Sequence, residues 1–264
     1  MHDLVSIPKA LVRPDHAFAE STIFRVPKSL LVLVMFLLCV TGARLGTAFA
    51  ESAHGKELLL AEREAQMDSL MAGAPTAVRE QQRQQTVAAV LGQQSALSTS
   101  MGIVVSGVGF VLLAVEMWLA GMVVSQFFGG QEDRRGWDRH SITLFLVAFV
   151  PLALKQLFSG IVLSAKDPDV AGNALTYKDY LATGAVRFDL FSLVGLHGLT
   201  GFLATLAGIL TNPFYLWTFA IVTLGGRHVY RLSLRGALGL SVVLVLVLSL
   251  QTTLLKSVGM ATEL

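Results

Sequence analysis

Hydrophobic positions along this chain fall in long unbroken runs, separated by polar stretches, with none of the short alternation expected of a half-buried strand. Two runs, 101–128 and 141–163, flank one short polar loop at 129–140. Each is long enough to cross a bilayer, which takes about 20 apolar residues in helical form. Further runs lie at 29–50 and 234–256, and a shorter one at 212–225 includes the turn before it. The pattern predicts an all-α membrane protein. Its expected form is a five-helix transmembrane bundle, with an extracytoplasmic helical segment between helices 1 and 2.

The polar stretches complete the layout. Residues 1–28 mix Leu4, Ile7, Leu11 and Phe18 with Lys9, Arg13, Arg25 and Lys28, and Pro8, Pro14 and Pro27 break any long helix. This fits a cytoplasmic amphipathic lead-in lying against the membrane surface; a loosely ordered tail is the plainer reading. The run 29–50 also resembles a signal peptide ending at Ala48-Phe49-Ala50. A leader of 28 residues ahead of it favours an uncleaved anchor. Residues 51–100 are rich in Ala, Gln and Glu, which favour helix, and Gly73-Ala74-Pro75 marks a break between two helices. Residues 164–189 read as an extracytoplasmic loop. Asp167 and Asp169 lack the full set of oxygen donors that calcium needs.

Residues 190–224 are too long for one simple span and awkward for two, and Asn212-Pro213 interrupts them. An interfacial or re-entrant helix at 190–211 followed by one span puts Arg227, Arg231 and Arg235 inside; two full spans put them outside. Loop charge decides. With five spans and an internal N-terminus, the inner segments hold ten Lys/Arg, against seven in much longer outer segments. The loop at 226–233 is then basic and cytoplasmic, and the tail at 257–264 lies outside.

Composition agrees. The chain is 53% hydrophobic and 14% charged, with a mean hydropathy of +0.64, far from the soluble average. A net charge of +2 without one basic patch excludes nucleic acid as a partner. Cys39 is the single cysteine, which rules out an internal disulfide and a thiolate metal cluster.

The candidate chemistry is sparse. Glu116 lies 12 positions before Phe128, and Lys155 lies 14 after Ser141. At about 1.5 Å per residue both sit at similar depth in an antiparallel hairpin. Intramembrane charges are costly and seldom face lipid. The pair can fix helix register, or Glu116 can serve as a protonatable group on a path for ions or lipid headgroups; the two residues can also fail to meet. Gly195, Gly198, Gly201 and Gly208 suggest close helix packing, and His197 is a lone histidine near the break. Arg134, Arg135, Trp137 and Arg139 in the 129–140 loop, with Arg227, Arg231 and Arg235, form an inner face available to anionic lipids or a partner protein. No nucleotide-binding, zinc-protease, serine-hydrolase or dinucleotide fingerprint occurs. The chain therefore reads as non-enzymatic, without cofactor or metal.

One combination of features is more specific. Ile7-Pro8 and Arg13-Pro14-Asp15-His16-Ala17-Phe18 open the chain, and a Gln-rich helical segment precedes the second span. Phe128-Gly129-Gly130, Pro151 and Asn212-Pro213-Phe214-Tyr215-Leu216-Trp217 follow at set places. The chain resembles bacterial members of the Yip1 family over nearly all its length. The resemblance implies a five-helix membrane domain with a cytoplasmic N-terminus in the bacterial inner membrane. It further implies a role as scaffold or as accessory subunit, some bacterial relatives accompanying ABC-type exporters. Eukaryotic relatives are associated with vesicle traffic and Rab-type GTPases, but their acidic Asp-Leu-Tyr-Gly-Pro-like stretch is missing here. The rival expectation is a small transporter or channel using Glu116, Lys155 and the break at Asn212-Pro213. A membrane protein partner or a homo-oligomer is expected in the first case.

Overall fold

A computed structural model describes residues 2–21, 23–50, 52–71, 73, 75–88, 119, 137–167, 174–184, 186–190 and 201–257. Among these, all regular structure is helical. The helices are α1 (His2–Val12), α2 (Pro14–Ala19), α3 (Lys28–Ala50), α4 (Ala53–Leu70) and α5 (Thr76–Ala88). They continue with α6 (Trp137–Ala165), α7 (Tyr177–Gly184), α8 (Gly201–Thr211), α9 (Pro213–Val229) and α10 (Leu234–Ser257). A 3₁₀ turn at Ile23–Arg25 leads into α3.

Local chemistry sets most of the ends. Pro14 and Pro213 stand at the first helical positions of α2 and α9, where the missing N–H costs nothing. Ser52 caps α4 by accepting from the Gly55 N–H at 3.2 Å. Pro8, by contrast, lies inside α1. α6 begins at Trp137, inside the expected 129–140 loop, and α9 runs on to Val229, past 225. Arg227 and His228 thereby fall in the last turn of α9, where cations complement the helix dipole.

Lys28–Gly46 and His140–Ala165 are long and apolar enough to cross a membrane. α8 and α9 together make a third apolar element, bent by 74° at Asn212, which is either one broken span or a re-entrant loop. The apolar stretch Leu234–Leu250 of α10 is shorter. Of the expected five-helix bundle, the described residues thus supply two full-length spans, or three with the bent pair. The second expected span, 101–128, lies almost wholly outside them.

Contacts divide the chain into two compact units. The first comprises Met1–Leu38, Val108–Lys155 and Arg187–Leu264. In it α9 packs on α10, α8 on α10, and α2 on α9. Phe18, Leu144, Phe145, Phe149, Ile221, Leu240 and Leu244 are buried in this unit. Inside it, the Thr223 and Ser241 hydroxyls meet at 2.6 Å and Ser241 donates to the Phe219 carbonyl, so a polar pin joins α9 to α10. On the outside of α10, Leu234, Leu238, Val242, Leu246 and Leu250 are exposed at every fourth position. A stripe of that kind is stable facing hydrocarbon, not water.

The second unit comprises Cys39–Gly107 and Gln156–Val186. Here the main chains of α3 and α6 touch at Gly42 and Gly160. A Cβ on Gly42 would strike the backbone of Gln156 and Leu157, and one on Gly160 would strike Gly42. Close approach through small residues is a common way for membrane helices to pack. Next to it α4 and α7 meet around Phe49 and Tyr180, with Leu58, Leu163, Ala174 and Tyr177 packed against them, and α5 packs on α4.

Candidate functional site

The break between α8 and α9 is built by Asn212 and Pro213. Asn212 is buried, and its Oδ1 accepts from the Phe214 N–H at 3.0 Å, capping α9. Its own N–H donates to the Ile209 carbonyl at 3.3 Å, closing the end of α8. Proline at the next position cannot continue the ladder of α8, so the direction changes there.

Three residues past the break stands Tyr215. The Lys155 ammonium, from α6, lies over its ring, 5.4 Å from the centroid. An ammonium over an aromatic face is stabilised by about 0.5–2 kcal/mol, more as water is excluded. Glu116, the expected partner of Lys155, lies outside the described residues. The contact to Tyr215 was not foreseen, because nothing local links two residues 60 positions apart.

A second constellation joins the lead-in to α9. Phe18 enters a notch at Gly225, where a Cβ would lie 2.9 Å from Phe18 Cε2 and would also collide with Leu144. Only glycine leaves room for both. The Trp217 indole N–H donates to the Leu11 carbonyl at 2.7 Å, and His228 Nε2 meets Asp15 Oδ1 at 2.7 Å. Phe24 stacks on the His140 ring with centroids 4.0 Å apart. The hydrogen bond from His228 holds the Asp15 carboxyl below its ordinary value of 3.8, and the charges of Arg227 and His16 act in the same direction. Lys9 pairs with Glu20 across the lead-in and lowers that carboxyl too. Part of the lead-in's apolar surface is taken up by protein, since Ala10, Ala17, Phe18 and Ile23 are buried, while Val12 is exposed.

The basic residues divide in the same way. Arg227, Arg231 and Arg235 are exposed around the turn between α9 and α10. Arg134 and Arg135 lie outside the described residues. Trp137 and Arg139 fall in the first turns of α6, and their side chains are outside the description. His197 is also outside it.

In the second unit the Tyr180 hydroxyl is the anchor. It donates to the Phe49 carbonyl at 3.0 Å, and its oxygen lies 2.6 Å from Ser52 Oγ, whose proton it therefore accepts. Its ring stacks on Phe49 at 4.7 Å and meets the His54 ring edge-on at 5.5 Å. Tyr180 falls within 164–189, which the sequence predicts to be a loop, but it lies in α7. The only available signal was an aromatic among charges in Tyr177-Lys178-Asp179-Tyr180.

Among the described residues, no group of three or more His, Cys, Asp or Glu could hold a metal ion. The side chains brought together cap helices, stack or hydrogen-bond; what they chiefly do is fix helices to one another. Comparison with curated proteins and with solved structures returns no match. A family model, the Yip1 domain, matches residues 9–255, from the lead-in to the end of α10, and the chain belongs to the Yip1 family.

Proposed function

We propose that this protein is a non-enzymatic integral membrane scaffold or accessory subunit of the bacterial inner membrane, its N-terminus cytoplasmic, working within an export complex of ABC type. One observation carries the reading. Thr223, Ser241 and Tyr180, polar side chains of the described interior, join one element to another, whereas the α4–α5 pair is largely exposed. α5 has no buried residue, and it is tied to α4 by Arg83 donating to Glu64 at 2.9 Å and Thr86 against Met67. A helix pair that contributes so little to its own core suits a partner surface.

The test is a pull-down of the tagged, full-length protein in gentle detergent, with partners identified by mass spectrometry. An ATPase and a permease recovered in fixed ratio are expected. Recovery of the protein alone, as a defined oligomer, would overturn the accessory-subunit reading.

The bend at Asn212 favours a second reading, a small transporter. Broken apolar helices line many transport sites, and Lys155 lies over Tyr215 just past this break. Ion or solute flux in proteoliposomes that Lys155→Met abolishes would favour it; flux-free vesicles would remove it.

A further inference from the structure

We propose that the lead-in is a releasable strap, folded only while docked, that ties the start of α6 to the end of α9 and lets those two ends part when it comes away. The argument begins with helix length. α1 has eleven residues with Pro8 inside it, and α2 has six. Isolated helices shorter than about 12–15 residues are marginal in water, so neither keeps its shape without the surface beneath it. Docking and helix formation are therefore one step, an exchange between an ordered and a disordered segment.

The fastenings fall into two groups, on two different helices. α9 holds the end of α1 and the whole of α2, through Trp217 at the Leu11 carbonyl, His228 at Asp15 and Gly225 beneath Phe18. α6 holds the 3₁₀ turn, where Phe24 stacks on His140. The Phe18 and Phe24 rings meet at 5.8 Å and so join the two groups. Below them α6 and α9 touch directly, because a Cβ on Gly225 would collide with Leu144 as well as with Phe18. The strap is thus fastened where the two helices meet. Lys155 over Tyr215 marks the same seam farther on, eleven residues along α6 and ten back along α9. At about 1.5 Å per residue the two contacts lie roughly 15 Å apart. The strap closes one end of the seam and the ammonium–ring contact holds the other, so release opens the seam from the strap end.

The turn between the two groups carries strain. Ser21 has φ +56°, and its N–H donates to the Phe18 carbonyl at 3.2 Å. A residue with a Cβ is disfavoured in the left-handed region. Such residues persist where their surroundings over-determine them, and they cluster at switch segments. Docking holds Ser21 in this conformation and undocking relieves it, which biases the strap towards release. The proposal does not depend on the export-complex reading.

The experiment follows amide hydrogen exchange of the full-length protein in detergent by mass spectrometry. Phe18→Ala should quicken exchange in the lead-in by more than about 100-fold, as the loss of a buried ring implies. Exchange should also quicken at 140–150 of α6 and 219–229 of α9, while α6 beyond Lys155 and the far half of α10 keep their rates. Ser21→Gly covers the case in which the truncation itself disturbs the fold. Glycine suits the left-handed backbone, so exchange should slow about threefold in the same three segments. A lead-in that changes its rate while the ends of α6 and α9 keep theirs would overturn the proposal. So would uniform quickening of every helix in Phe18→Ala with no slowing in Ser21→Gly.

Discussion

The lead-in (residues 1–28, with α1, α2 and the 3₁₀ turn) and the α4–α5 pair look alike as sequence: stretches outside the apolar runs, with scattered Leu, Val and Ala among charges. The structure treats them differently. The lead-in buries Ala17, Phe18 and Ile23 essentially completely, while α5 buries nothing. Two things separate them. In the lead-in, Pro14, Ala17 and Phe18 fall at helical spacing on one side, whereas in α5 the apolar residues stand at the two ends, around a run of Gln, Glu and Arg at 79–85. The lead-in also has a receptor, since α9 offers the Gly225 notch and two polar partners, Trp217 and His228. An amphipathic helix is committed by what faces it as much as by its own pattern.

The sharpest way to break this contrast is to empty the notch. Phe18→Ala removes a fully buried ring, and such truncations typically cost about 3–5 kcal/mol. The expected outcome is a marked drop in melting temperature with faster trypsin cleavage at Lys9 and Arg25. Val78→Ala in α5 should stay within about 0.5 kcal/mol, as exposed substitutions do. Similar effects from the two would erase the distinction.

A smaller effect tests the one strong anchor of the α4–α5 side. Tyr180→Phe keeps the stack on Phe49 but leaves the Phe49 carbonyl without the hydroxyl and Ser52 without its acceptor. Losing such hydrogen bonds from a buried site costs about 1–3 kcal/mol. Amide exchange should quicken across α4, while the lead-in keeps its protection. Unchanged exchange in α4 would mean that packing, not the hydroxyl, holds the pair.

What could be read in advance was what local chemistry determines. The membrane class follows from run length, and the Asn212-Pro213 break from a capping side chain beside a residue that cannot donate. The 74° bend could not be read, because it depends on what α8 and α9 pack against. Lys155 is legible as a cation inside an apolar run, but Tyr215 is not legible as its neighbour. The Gly42–Gly160 crossing was missed although Gly42 and Gly46 have the four-residue spacing of a helix-packing motif. Lone glycines are common in apolar runs, and only the approaching backbone of α6 shows which one is needed. The lead-in was read as a surface helix because its receptor lies 200 residues away.

The mildest test concerns acid. Asp15 is exposed, and its carboxyl is held below 3.8 in the folded protein chiefly by His228. A lowered carboxylate value stabilises the docked state fully above the ordinary value, and that contribution is lost as the pH falls through the folded one. Because the pair is solvent-screened, it is worth less than about 1 kcal/mol. The dock should therefore loosen below about pH 4 without opening, since Phe18 remains in its notch. A variant retaining Trp217 alone, with Trp118→Phe and Trp137→Phe, reports the change as an emission shift beside Leu11. Glu20, lowered by Lys9, titrates in the same direction, so Asp15→Asn is needed to separate them. If that variant removes the shift, the ion pair closes a dock that packing has already made. If the shift persists, the acid response belongs to Glu20 and lies within the lead-in itself. The Tyr180 anchor, which contains no carboxylate, should show no transition over the same range.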